Sequence, residues 1–307
     1  MEVQQSSSAV LMIRPHRFYP NPETAADNTF QAAVDAGELP VVSAAAQREF
    51  DDAVATMRSA GVTVHVVDDT ATPEKPDAVF PNNWFSTHHD GRVALYPMYS
   101  AVRRWERRHD VIDELREHYQ ITDVVNYSAC EEQGQCLEGT GSLVLDHVNK
   151  IAYASLSQRT HPEVLERFCA DFGYEPVKFR SVSAEGQPIY HTNVMMCVGS
   201  EFALLGSDCI PDEAERTGVQ NLLEATGHEV IELSQEQIAE FAGNAIELHN
   251  NSGKLLVLSA RALAALSGAQ RGTLAGFAQL VPLTLPTIEL AGGSARCMIA
   301  TLHLPPR

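Results

Sequence analysis

Glu138, His191, Asn244 and Cys297 stand at three equal intervals of 53 residues, and each opens a similar stretch. A polar residue comes first and an apolar, strand-like run follows, as in Ser142–Leu145, Val194–Val198, Ala245–Leu248 and Cys297–Leu302. A period of this length marks repeated supersecondary units that bury their apolar faces only by packing side by side. In a closed ring of such units, matching positions lie at one depth around a common axis. A carboxylate, an imidazole and a thiol far apart in sequence would then meet.

The spacing between these anchors is filled consistently. Strand Ser142–Leu145 turns near Asp146–Asn149 and returns as Ile151–Leu156. Helix Pro162–Phe172 follows, with proline in its first turn and Gly173 at its end. The second unit runs Val194–Val198, Phe202–Leu205, helix Pro211–Ala225 and strand Val230–Leu233. The third runs Ala245–Leu248, a turn at Asn250–Gly253, strand Leu255–Leu258 and a helical region Ala260–Gln279. Asn/Gly clusters between apolar runs are strong hairpin signals. An earlier unit reads Trp84–Thr87, Val93–Tyr96, helix Arg103–Tyr119 and strand Thr122–Val125. A fifth is split across the ends: Cys297–Leu302 on one side, and Val10–Ile13, helix Ala44–Gly61 and Thr63–Val67 on the other. The expected fold is α/β, five repeats of ββαβ type, with the two ends pairing to remove exposed sheet edges. No linker divides the chain, so residues 1–307 read as one catalytic domain. The Pro- and Asn-containing loop Arg14–Gly37 is long enough to cover a site.

These motifs resemble the amidinotransferase and arginine deiminase superfamily, whose fold is a five-bladed α/β propeller. The resemblance spans nearly the whole chain. It rests on Leu137–Gly139 (glutamate motif), Tyr190–Asn193 (histidine motif) and Gly292–Cys297 (cysteine motif). Pro76–Trp84 is similar to the substrate-binding strand end, and Ala154–Thr160 to the Ser-x-Arg-Thr segment. The opening Met12–Pro15, with Phe18, Asn21, Glu23, Asn28 and Phe30-Gln31, resembles the citrulline-hydrolysing branch.

Two departures from guanidine-acting members bear on substrate. Asn82 and Asn83 stand where those members carry acidic residues, and Asn193 where an aspartate is common. A carboxylate suits a guanidinium through charge-assisted, bidentate hydrogen bonds. An asparagine offers a donor and an acceptor, which suits a neutral ureido group. The resemblance therefore implies a hydrolase that cleaves the ureido C–N bonds of citrulline, yielding ornithine, ammonia and CO2. The alternatives are a deiminase, dihydrolase or amidinotransferase acting on a guanidino substrate, and a non-enzymatic binding module on the same fold.

Taken singly, each site residue has an ordinary structural explanation: a packed cysteine, a strand-end histidine, a turn glutamate. Together they define a mechanism. Cys297 would attack the ureido carbon as a thiolate. His191 would protonate the leaving nitrogen and then activate water. Glu138 would hold the imidazole or the substrate NH2. Asp77 would bind the α-ammonium or orient the ureido group. Arg159 would take the α-carboxylate, for which a guanidinium has the matching geometry, joined by Arg103 or Arg104. Asn244 shares the register but reads as a turn or cap residue.

The remaining composition excludes other classes. A net charge of −18 argues against nucleic-acid binding, which needs a basic face. No apolar run approaches spanning length, and no leader is readable, so a cytoplasmic protein without a membrane partner is expected. Six scattered cysteines without a Cys-x-x-Cys pair read as free thiols in a reducing compartment. His88-His89 with Asp90 lacks partners at metal-ligand spacing and reads as a hairpin turn. No metal or cofactor is expected. The expected partner is a small amino-acid substrate, with self-association left open.

Overall fold

The computed structural model describes residues 3–307. Among these residues fifteen strands form five three-stranded sheets. In chain order they are β1 (Ala9–Arg14), β2 (Thr63–Asp68), β3 (Phe85–Thr87), β4 (Arg92–Leu95), β5 (Asp123–Asn126), β6 (Val144–Asp146), β7 (Ile151–Ser155), β8 (Glu175–Phe179), β9 (Met196–Val198), β10 (Phe202–Leu205), β11 (Glu229–Glu232), β12 (Ile246–Asn250), β13 (Gly253–Ser259), β14 (Gln279–Leu283) and β15 (Ala300–Thr301). Every sheet repeats one plan: a short first strand, an antiparallel second strand, then a parallel third strand reached through a helical crossover. The fifth sheet is built from both ends, because β15 pairs antiparallel with β1, which pairs parallel with β2. First strands of different sheets touch: β6 with β9, β9 with β12, and β15 with β3.

Local chemistry sets the boundaries. The crossover helix Pro162–Phe172 has His161 capping its start and Gly173 at φ 71° ending it. Asp212 accepts the Glu215 N–H, so the next helix begins at Glu213, two residues later than the proline suggested. The helical region expected over Ala260–Gln279 holds two helices, Ala260–Ala265 and Gly268–Phe277. Ser267 and Gln270 form a capping box that starts the second. The expected helix Arg103–Tyr119 is likewise divided, into a 3-10 turn Val102–Glu106 and a helix His109–His118. That break leaves Arg103 and Glu106 buried three residues apart. The helix expected over Ala44–Gly61 starts earlier, at Leu39, with a proline in its first turn.

The equal spacing of the four anchors is looser in space than in sequence. Glu138 lies six residues before β6 and His191 five before β9, while Asn244 lies two before β12 and Cys297 three before β15. The anchors occupy different turns of the segments that lead into the first strands. Glu138 precedes a one-turn helix, Gly139–Ser142, and His191 precedes a 3-10 turn, Thr192–Val194. Cys297 sits in a turn, so the strand expected from Cys297 is confined to Ala300–Thr301.

Candidate functional site

The turns before β3, β6, β9, β12 and β15 bring the anchors together. His191 Nε2 lies 2.8 Å from Glu138 Oε2. The other oxygen, Glu138 Oε1, accepts the Tyr99 N–H at 2.9 Å. The Nη1 atoms of Arg159 and Arg103 approach Oε2 to 3.6 and 3.8 Å. Burial alone would raise the Glu138 carboxyl, but Arg159, the His191 hydrogen bond and Arg103 outweigh it and hold it well below the usual carboxylate range. Burial lowers His191, with Glu138 opposing. The imidazole is thus held against a fixed negative charge.

Cys297 Sγ receives two side-chain amides, from Asn244 Nδ2 at 3.2 Å and Asn193 Nδ2 at 3.5 Å. Asn244 is itself held by the Arg296 N–H, which donates to its Oδ1 at 3.0 Å, and by the Asn193 carbonyl. Two N–H donors aimed at one sulfur suit a thiolate nucleophile. Burial pushes the thiols of Cys136, Cys169, Cys197 and Cys209 up to about 12, which leaves them inert at neutral pH.

A second group of charges surrounds Arg103 and Arg159. Arg103 forks onto Glu106, both bonds 2.9 Å, and its Nη1 donates to Asn83 Oδ1 at 2.8 Å. Burial raises Glu106 to about 7 despite this partner. Asp77 Oδ2 accepts from Asn21 at 2.8 Å and lies 3.6 Å from Arg103 Nε; its pKa is raised, chiefly by burial. Arg159 is clamped by Asp27 through bonds of 2.8 and 2.6 Å and lies over the Tyr190 ring. A small cavity of about 20 Å3 is walled by Asp77, Asn83, Arg103, Arg159, His191 and Cys297, and the loop residues Thr24 and Asn28 also line it.

A family model for N,N dimethylarginine dimethylhydrolase, eukaryotic, matches residues 14–304. The chain belongs to this family. With it comes membership of the amidinotransferase superfamily, and the chain is an enzyme of the class acting on carbon–nitrogen bonds other than peptide bonds. No curated protein matches at the level of sequence. Among solved structures, the substrate-bound N-terminal domain of ArgZ, an arginine dihydrolase from cyanobacteria, superposes with a TM-score of 0.73 at 16% identity, covering 96% of this chain and 99% of that one. AgrE bound to L-arginine gives 0.73 at 16% identity, over 97% of this chain and 40% of AgrE. A dimethylarginine dimethylaminohydrolase adduct with S-methyl-L-thiocitrulline gives 0.63 at 13%, over 95% and 98%. At such identities these structures share the fold.

Within this dimethylarginine hydrolase family member, most of the expected site residues converge, and some do not. Asn82 is buried behind Asn83, accepting its Nδ2 at 3.0 Å, and is absent from the cavity wall. Asn193 faces the sulfur. Arg103, not Arg104, lines the cavity; Arg104 is partly exposed, near Met98 O and Glu131. Sequence reasoning missed Asn244 as a partner of Cys297, although its shared register was the available signal. It also missed Asp27 and Glu106, for which local sequence carries no signal, because their roles exist only through contacts with Arg159 and Arg103. Among the described residues no cluster of His, Cys, Asp and Glu could hold a metal, and no helix is long and apolar enough to cross a membrane.

Gly141 makes the close approach of these turns possible. A Cβ there would lie 2.4 Å from Asn83 Nδ2 and 2.8 Å from His191 Cε1 and Nδ1. Gly141→Ala therefore displaces the imidazole, and kcat should fall roughly 10²-fold with little change in circular dichroism. A variant with wild-type kcat would show that the ring position is not critical.

Proposed function

We propose that the chain is a Cys297-dependent hydrolase of citrulline, built as a five-bladed α/β propeller closed by its N- and C-terminal segments. The observation that carries this reading is the arrangement around one sulfur. Cys297 Sγ is flanked by Asn193 and Asn244 and shares a cavity with His191, which is held by Glu138. In the first step His191 takes the proton of the Cys297 thiol as the sulfur attacks the ureido carbon. The terminal C–N bond breaks, and His191 supplies the proton with which NH2 leaves as ammonia. A thiocarbamate joins Sγ to the substrate. His191 then takes a proton from water, which attacks the same carbon and expels the thiolate. The resulting N-carboxy amine loses CO2 to leave ornithine. One water is consumed and Cys297 is regenerated.

The other end of the cavity fits an amino-acid head group. Arg103 and Arg159 bind the carboxylate and Asp77 the ammonium; Arg104 stays outside. Small-molecule sites usually enclose about 300 Å3 or more. The 20 Å3 cavity therefore opens on entry, by movement of the segment bearing Asn21, Thr24, Asp27 and Asn28, and the substrate carboxylate replaces Asp27 on Arg159.

The preference for a neutral group rests on the amides of Asn83, Asn193 and Asn244 near the reacting end, with the neighbouring Glu138 already engaged by His191 and Tyr99. A second reading, hydrolysis of arginine, is favoured by one observation: four buried or half-buried carboxylates, Asp27, Asp77, Glu106 and Glu138, face two guanidiniums. The neutral preference is tested by kcat/KM for both substrates. Citrulline should exceed arginine in the wild type, and Asn83→Asp should lower citrulline turnover about tenfold, equivalent to ~1.4 kcal/mol. Faster turnover of arginine by the wild type replaces the first reading with the second.

A further inference from the structure

A second cavity, of about 50 Å3, lies between the five sheets, lined by residues of β3, β6, β9, β12 and β15. Arg296 and His303 both line it. The Arg296 side chain makes one hydrogen bond, from Nη1 to the Ile299 carbonyl at 2.8 Å, and no carboxylate of the described residues lies within 4 Å of it. A guanidinium carries five N–H donors, so most of its capacity is free. Burial lowers its pKa, with the neighbouring Cys297 and Cys197 thiols opposing. His303 Nδ1 is buried and has no hydrogen-bond partner. The neighbouring polar groups are already occupied. Glu247 accepts from the Ser200 N–H and hydroxyl. Gln5 bridges the carbonyls of Leu145 and Val198 and the His147 N–H. His147 Nδ1 meets the Tyr174 hydroxyl at 2.8 Å.

We propose that this cavity binds a small inorganic anion of chloride size between Arg296 and His303. Both groups offer N–H donors, His303 in the tautomer that places its proton on Nδ1. Arg296 is only half-buried, yet a charge with no ion-pair partner among strands is still costly, and a counter-ion offsets that cost. The volume is several times that needed for one water, and it excludes large organic anions. The site is separate from the thiol chemistry, though joined to it through the chain: Arg296 precedes Cys297, and its N–H holds Asn244.

The probe is halide, and no readout depends on turnover, so the result is independent of the substrate. Crystals of the full chain soaked in bromide should show an anomalous peak in this cavity within hydrogen-bond distance of Arg296 and His303. Sodium chloride should raise Tm by roughly 2 °C or more over sodium gluconate at equal ionic strength, saturably. That difference should vanish in Arg296→Gln and shrink in His303→Phe. An empty or water-filled cavity in bromide overturns the proposal, whether or not the variants fold. A bromide peak without a chloride-specific Tm shift marks an adventitious ion and overturns it equally, as does a shift that survives in Arg296→Gln.

Discussion

Cys297→Ser should lose turnover by roughly 10⁴-fold or more while keeping its fold. The covalent step needs a nucleophile that is both anionic and polarisable, and a hydroxyl in the same place is neither at neutral pH. Serine is the sharper control than alanine here. It leaves an acceptor for Asn193 and Asn244, whose amides point at the sulfur, and so avoids two buried donors without partners. Thermal unfolding of Cys297→Ser should therefore stay close to wild type, whereas Cys297→Ala should unfold somewhat earlier. Acid quench of the wild type with citrulline, followed by peptide mass spectrometry, should find a thiocarbamate adduct on the peptide containing Cys297. An adduct on Cys136, or a serine variant retaining a tenth of the activity, would refute the assignment.

Glu138→Gln should damage both stability and catalysis, and the two effects have one source. Glu138 is fully buried, bonded to His191 and Tyr99, and faces Arg103 and Arg159. Glutamine keeps the shape but removes a buried negative charge that Arg103 and Arg159 share; both keep other carboxylates, Glu106 and Asp77 on one and Asp27 on the other, so the cost should be about 1–3 kcal/mol. Turnover should fall roughly 10²–10⁴-fold, because a glutamine supplies no negative charge to stabilise the imidazolium that His191 becomes. The pH dependence gives the diagnostic. A carboxyl held below its ordinary value of 4.5 contributes stability that is fully present above that pH. The contribution is lost as pH falls further, through the folded-state value. The Tm gap between wild type and Glu138→Gln should be wide at pH 7 and narrow progressively below about pH 4.5. A gap that stays constant down to pH 3 would mean that shape, not charge, accounts for the loss.

The repeat plan was legible because local rules set it. Asn/Gly turns, apolar runs and caps such as Gly173 act over a few residues, so hairpins and crossovers could be placed from sequence with boundary errors of at most six residues. Inside the helical stretches the breaks were not foreseen: the Ser267–Gln270 capping box divides the helical region Ala260–Gln279, and the inward turn of Arg103 and Glu106 divides the helix expected over Arg103–Tyr119. The pairing of β15 with β1 was also foreseen, since a split unit leaves unpaired edges at both ends.

The types of residue at the site, and their order, were written in the chain. Their partnerships were not. The 53-residue interval marked Glu138, His191, Asn244 and Cys297, yet each sits at a different offset from its strand, and that offset decides which atoms meet. Asn244 became a partner of the sulfur, Asn82 fell behind Asn83, and Arg103 turned inward while Arg104 turned out. Asp27, 132 residues from Arg159, closes on it with two hydrogen bonds that no local pattern encodes. Sequence alone determined the secondary-structure repeat and the inventory of reactive groups, because both depend on near neighbours along the chain. Tertiary structure alone decided which carboxylate faces which guanidinium and which amide faces the thiol, because hydrogen bonds and desolvation act over a few ångströms of space, whatever the separation in sequence.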